Sequence, residues 1–490
     1  GGGGGLELVR WESGVVTTLA APGASPLGAL PFTTIFDVSD DGRILARTVT
    51  LAGRSTITTD YLFTPEDGVR KVSDLVYGTG GRSVSIGTPL RFADDGRVIT
   101  STAVLTPVDE TVVWSFAEGS PVSAAGTAVL GVSPLGDPIL LVRTGDRWTG
   151  TLVPTGFIGE QPNAELVITD VVLMREAATG RYIAAVVGGG QVFLSRFDAG
   201  GEVLGQFILA NQSAATAIVA NATSFTTADG RLILAGTDAA GDLVIYFQNE
   251  VPSASNPNVA WVYDNLTRTH LEARGTEFAA VASNLTGFST PWGTDHIGYL
   301  DALGQVRVVW WAPGDPLWRE DRISSAGEGV VLFGRLTSFV TPWNTLHFNA
   351  ADGDGNIVAV WWAPGFEGQW RADVLTAPGG PRLDPASLTA FITPWSAMHI
   401  MGRDAETGEV TALWWAPATQ EWRLEALDIA GLPENLTLTG EMAGSVTDGG
   451  TLNVFAAADD GRIARLFWSL GDGSVWTFED VTAGTSLSIA

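Results

Sequence analysis

Between Phe339 and Thr376 the chain reads FVTPWNTLHFNAADGDGNIVAVWWAPGFEGQWRADVLT. Its apolar positions come in short runs broken by Pro, Gly, Asp and Asn, the punctuation of strands and turns rather than of helices. Ile357, Ala359 and Trp361 alternate with Val358, Val360 and Trp362, so a strand here is apolar on both faces and must be covered on both. The pattern predicts strands over 336–340, 346–351, 356–362 and 369–375. Turns TPWNT, DGDG and APGFEG join them.

The same pattern recurs. Phe288, Phe339 and Phe391 each open a unit of Thr-Pro-Trp, a His four residues after that Trp, a Gly-containing turn, Trp-Trp-Ala-Pro and a final Trp-Arg. A fourth copy carries Asn453 in place of the His, Phe467-Trp468 in place of Trp-Trp, and Trp476 at the last position. Weaker units start at Phe225 and at the two DDGR turns near 41 and 95; Gly136 and Gly180 mark two more. A four-stranded antiparallel unit repeated every forty to sixty residues or so and buried on both faces is a propeller blade. The expectation is therefore an all-β chain forming a single large β-propeller of eight or nine four-stranded blades over 6–490. Divergent DDGR-type blades would fill 6–280 and Trp-rich blades 281–483, with residues 1–5 a glycine linker or an artefact of how the chain was cut. LELVRWESGVVTTLAAPG looks like two strands of a unit, and the tail TSLSIA like another. The ring is expected to close by sharing terminal strands, unless the chain is a piece of a longer protein.

Composition narrows the partners. Fifty-four acidic residues against 27 basic give a net charge of −27, which repels phosphate backbones and anionic membrane surfaces. Cysteine is absent, which removes disulfides, thiolate metal sites and cysteine nucleophiles and fits a bacterial exported protein. No apolar run is long enough for a membrane-spanning helix, and the N-terminus lacks the basic start and apolar stretch of a signal peptide.

The Thr-Pro-Trp…His…Trp-Trp-Ala-Pro units resemble tryptophan-rich repeats of large secreted bacterial proteins. More distantly they resemble the blades of bacterial and fungal propeller lectins that bind fucose and related sugars. The DDGR units look like other extracellular propeller repeats. The resemblance implies an extracellular or cell-surface setting and sugar binding as one available activity.

Twelve of the 18 tryptophans lie in the three strong copies. In a four-stranded meander the first and third turns emerge at one end, so Trp292, Trp343 and Trp395 are expected on a rim with Trp318, Trp370 and Trp422. Most of these rings are expected to wedge between blades; the turn tryptophans are the best candidates for a glycan or protein partner, because they lie outside the sheets. His296, His347 and His399 are expected to hold a fixed hydrogen bond to the Thr-Pro-Trp turn, since Asn453 can copy a neutral imidazole's hydrogen bond but not its acid–base chemistry. His270 has no repeat context. Asp352 and Asp354 supply closely spaced carboxylates, and calcium is the alternative there to an ordinary glycine hairpin; no other metal or cofactor is expected. No phosphate loop, dinucleotide fingerprint or nucleophile elbow stands out. The expected function is non-catalytic binding or scaffolding through the Trp-rich rim, within a cell-surface assembly. A lectin is the first alternative and a glycoside hydrolase using the propeller channel the second.

Overall fold

The structure is a computed structural model. It describes strand segments between 8 and 113, Phe116, and then 121–132, 138–153, 167–209, 217–323, 330–376, 380–470 and 475–483, less a few single loop positions, with the strand 486–487. The glycines 1–5, both DDGR turns near 41 and 95, and Gly136 lie outside the described residues.

The chain divides into two compact units. One holds 1–115, 133–137 and 482–489; the other is built on 116–132 and 138–481. The first contains a hairpin, Leu8–Glu12 with Val15–Ala20, and two four-stranded sheets. These sheets are Phe32–Val38, Ile44–Ala52, Ser55–Thr64 and Gly68–Lys71, then Pro89–Phe92, Val98–Thr100, Val104–Leu105 and Val112–Val113.

The second unit is a run of antiparallel four-stranded meanders, and the first and last of these sheets each gain a fifth strand: Ser486–Leu487 in the first, and Ile429–Ala430, parallel to Trp476–Asp480, in the last. We number these blades 1 to 7, with strands a to d from the innermost outward: 123–152, 168–208, 220–265, 286–322, 332–374, 389–426 and 438–480. Strand a of each blade lies against strand a of the next, and that of blade 7 against that of blade 1, so the ring is closed. Seven blades form it, not the eight or nine expected. The turn marks near 41 and 95 do belong to four-stranded sheets, but to sheets of the first unit. Hairpin spacing counts sheets; only inter-sheet packing decides which of them share a ring.

Closure joins two complete sheets. Ser445 Oγ donates to Gly126 O at 2.8 Å, Trp148 packs edge-on to Phe455, and the Trp148 indole donates to Glu479 Oε1 at 3.0 Å. Arg465, fully buried, donates to Asn453 Oδ1 at 2.8 Å, pairs with Glu479 and lies over the Phe467 ring. The tail adds a strand to a blade as expected, Ser486–Leu487 forming the outer edge of the blade 1 sheet beside Arg147–Leu152, whereas Leu8–Glu12 and Val15–Ala20 make a separate two-stranded sheet in the first unit.

Strand alternation sends the two faces of one blade into two different cores. Val358 and Val360 of blade 5 pack with Phe288, Val306 and Val308 of blade 4, while Ile357 and Phe339 pack with Leu388, Ile400 and Leu413 of blade 6. This close approach needs glycine at chosen places: a Cβ on Gly298 would sit 2.2 Å from Phe348 Cε1. The b–c turns of blades 3 to 6 share one device. Asp238, Asp301, Asp352 and Asp404 each accept two backbone N–H groups of their own turn at Oδ1. Asp352 also accepts from the Asn356 side chain, so its carboxylate closes a hairpin. Among the described residues no group of three metal-ligating side chains occurs.

Candidate functional site: the seams between blades

Strand register lines up one residue from each strand across the blade. In blade 4 these are Phe288, His296, Trp310 and Arg319. The Phe288 and His296 rings stack at 4.9 Å, His296 and Trp310 at 6.2 Å, and the Arg319 guanidinium lies 5.3 Å from the Trp310 ring. Blade 5 repeats the ladder with Phe339, His347, Trp361 and Arg371, and blade 6 with Phe391, His399, Trp414 and Arg423. In blade 7 the rungs are Ser445, Asn453, Phe467 and Thr477.

His296 and His347 are buried rungs and His399 a half-buried one. His296 Nε2 lies 3.0 Å from Thr294 Oγ1, which lies 2.6 Å from Thr290 Oγ1 at the start of the Thr-Pro-Trp turn. His347, Thr345 and Thr341 repeat this at 2.9 and 2.6 Å. Blade 6 has Ala397 at the second threonine position, where the Ala397 N–H reaches Thr393 Oγ1. Burial pushes His296 and His347 down to about 3 and His399 to about 4, so all three rings are neutral at physiological pH. Asn453 occupies the same rung with other partners. It accepts from Arg465 and donates to Thr451 O and, across the ring closure, to Gly126 O.

The turn tryptophans reach to the neighbouring blade. Trp292 meets Trp362 at 6.3 Å, Trp343 meets Trp415 at 5.3 Å, and Trp395 meets Trp468 at 5.5 Å. Trp292 and Trp343 remain 43% and 37% exposed, and Trp395 is half-buried. The outer tryptophans are less open: Trp318 is buried between blades 3 and 4, Trp370 is half-buried beside Phe348, and Trp422 pairs across strands with Trp415. The rim therefore divides into successive seams, each built by one blade's ladder and the next blade's wall.

Among the described residues, cavities open at three of the seams. The one between blades 4 and 5, about 250 Å³, is lined by Trp292, His296, Trp310, Asp321, Trp362 and Trp370. Between blades 6 and 7 a cavity of about 340 Å³ is lined by Trp395, His399, Trp414, Glu425, Trp468 and Trp476. The third, about 240 Å³ between blades 3 and 4, has Phe247, Asp264, His270, Asp295, Trp311 and Trp318.

Each cavity also holds a strand-d carboxylate that the sequence reading did not single out. Asp321 accepts the Trp310 indole N–H at 2.7 Å, and Asp373 accepts that of Trp361 at 2.6 Å. Asp264, Glu425 and Glu479 hold the same register position in blades 3, 6 and 7. A signal existed: an acid follows three residues after Trp261, Trp318, Trp370, Trp422 and Trp476. His270 had no such signal, because it rides on a short π-turn, Thr267–Leu271, that no periodicity announces.

The fold and seams define the class: a seven-bladed β-propeller with aromatic, carboxylate-bearing inter-blade cavities. No family model matches the chain, and no curated protein matches it by sequence. Among solved structures, the BP39L lectin from Burkholderia pseudomallei aligns with a TM-score of 0.53 at 16% identity, covering 77% of this chain and 100% of the lectin. AofleA from Arthrobotrys oligospora aligns at 0.43 and 12% identity, covering 64% of this chain and 89% of its own. The fucose-specific lectin from Aleuria aurantia aligns at 0.40 and 11%, covering 63% and 93%. The first likeness supports the propeller fold, and at these identities fold is all the likeness shows.

Proposed function

We propose that this propeller binds carbohydrate at its inter-blade seams, several sites to a ring, without turning the ligand over, and that it does so outside the cell. The observation that carries this is the repeated wall of the cavities. An indole of strand c faces an indole of the next blade, a turn tryptophan covers the mouth, and a strand-d carboxylate stands beside them. A pyranose needs that combination: an aromatic plane for its C–H face and a charged acceptor for its hydroxyls. Volumes of about 250 and 340 Å³ fall at or below the small end of drug-sized sites, about 300–1,000 Å³, and suit one or two sugar rings. The lectin likeness agrees with this reading at the level of fold.

The test is a glycan array followed by tryptophan-fluorescence titration of the sugars that bind. Trp310→Ala and Trp414→Ala together should weaken binding about tenfold or more while the ring stays folded. Unchanged affinity in that double variant would sink the proposal. Chromogenic glycosides run in parallel distinguish binding from hydrolysis.

A further inference from the structure

The seam between blades 3 and 4 differs chemically from the others. Where blades 5, 6 and 7 begin strand b with Leu346, Met398 and Leu452, blade 4 begins it with Asp295. Leu346 and Leu452 line the floors of the two Trp-rich cavities, and Asp295 lines the corresponding floor here. Asp295 is only 6% exposed, and its Oδ1 is buried with no hydrogen-bond partner. A buried carboxylate oxygen left unpaired costs folding free energy, and a hydrophobic residue at that place is what the sister blades use.

The surroundings do not neutralise it. Ser289 donates to the carboxylate, yet burial still pushes Asp295 up to about 6. The nearest cation is Arg231, whose Nε is held by both oxygens of Asp229. Across the cavity Asp264 Oδ2 lies 2.7 Å from His270 Nε2, and His270 Nδ1 accepts the Trp318 N–H at 3.4 Å, so the imidazole donates to Asp264 from Nε2. Counting charged groups, three aspartates face one arginine. The walls are Phe247, Trp311 and Trp318. An apolar, aromatic-walled cavity with an unpaired carboxylate in its floor is complementary to a cation with an organic body.

We propose that the cavity between blades 3 and 4 is a site for a protonated primary amine on a ring of monosaccharide size, with Asp295 Oδ1 accepting the ammonium hydrogen bond. The aromatic walls cover the body of the ligand, and Asp264 supplies a second acceptor. This specifies one seam within the carbohydrate-binding reading, on which the choice of a sugar-sized ring rests. The unpaired Asp295 oxygen calls for a cationic donor whatever the body of the ligand.

Glucosamine, with glucose and N-acetylglucosamine as neutral controls, serves as the probe in calorimetric titrations of the full chain. The wild-type protein should prefer glucosamine by about tenfold or more. Asp295→Leu should lose that preference while its melting temperature holds or rises, because the substitution removes an unpaired buried charge. Asp295→Asn keeps the shape and should lose the preference too, which decides the matter if the leucine variant fails to fold. Binding of neutral sugars at the Trp-rich seams should be the same in all three proteins. Absence of an amine preference in the wild type, or its survival in Asp295→Asn, overturns the assignment. If glucosamine binds through Asp295 while no neutral sugar binds anywhere, the amine site stands and the carbohydrate reading of the other seams falls.

Discussion

Replacing His347 by leucine should destabilise the propeller at neutral pH and hardly at all near pH 5. The ring stacks between Phe339 and Trp361 and holds the Thr345 hydroxyl at 2.9 Å. Leucine keeps apolar volume but loses that hydrogen bond, a cost of about 1–3 kcal/mol for a buried group left unsatisfied. The pH dependence follows from burial, which lowers His347 from 6.5 to about 3. Below pH 6.5 the unfolded imidazole takes up a proton that the folded one refuses, so the unfolded state binds more protons. Stability is therefore complete above 6.5 and is lost progressively as pH falls toward 3. At about 1.4 kcal/mol per pH unit, one such histidine forfeits about 2 kcal/mol by pH 5. Leucine forfeits nothing, so the gap between the two proteins should close by about 2 kcal/mol. Asp170 and Asp295, raised by burial to about 6, act in the opposite sense but are common to both proteins. Urea unfolding followed by tryptophan fluorescence at pH 7, 6 and 5 measures the gap. A gap constant across that range refutes the buried, neutral imidazole.

Other substitutions probe other parts of the ring. Gly298→Ala forces a methyl against Phe348 across the blade 4–5 seam and should cost about 1–3 kcal/mol, read as a lowered melting temperature. Asp352→Ala removes the acceptor for two turn N–H groups and should cost about 1–2 kcal/mol; added calcium or chelator should leave the wild-type melting temperature unchanged. Arg465→Met leaves Asn453 Oδ1 without its donor and takes from Glu479 one partner of three, Trp148 and Arg143 remaining, and should cost about 1–3 kcal/mol in chemical unfolding. His347→Asn should not be neutral, because blade 5 has Ala359 where Arg465 supports Asn453; a melting temperature equal to wild type would contradict this. Replacing Trp292, Trp343 and Trp395 together by Ala should weaken sugar binding; lost stability with unchanged binding would assign those rings to the core alone.

Much of the blade was readable because period-two alternation and glycine turns are local signals. The expected strands of the quoted copy, 346–351 and 356–362, match Leu346–Asp352 and Ile357–Trp362 to within a residue. Blade number was not readable, since membership of the ring depends on which sheets pack face to face, and no single strand encodes that. The site was readable in part. The tryptophans announced themselves by repetition, but what they meet, such as Trp343 against Trp415, is set between blades. Asp295 was legible as an exception, standing directly before His296 where Leu346, Met398 and Leu452 stand before His347, His399 and Asn453, but its meaning was not, because only packing between blades makes that position the floor of a cavity.

Because each cavity is walled by the ladder of one blade and the strand-b floor of the next, a site belongs to a junction and not to a module. Adding or deleting one blade would leave every module intact and yet change two junctions. Losing blade 4, for example, would set the Asp264–His270 pair over the Leu346 floor. Such a hybrid would keep aromatic walls and lose the floor carboxylate. In a ring of this kind, ligand choice can be recombined by shuffling whole sheets, with no strand re-registered and no side chain replaced.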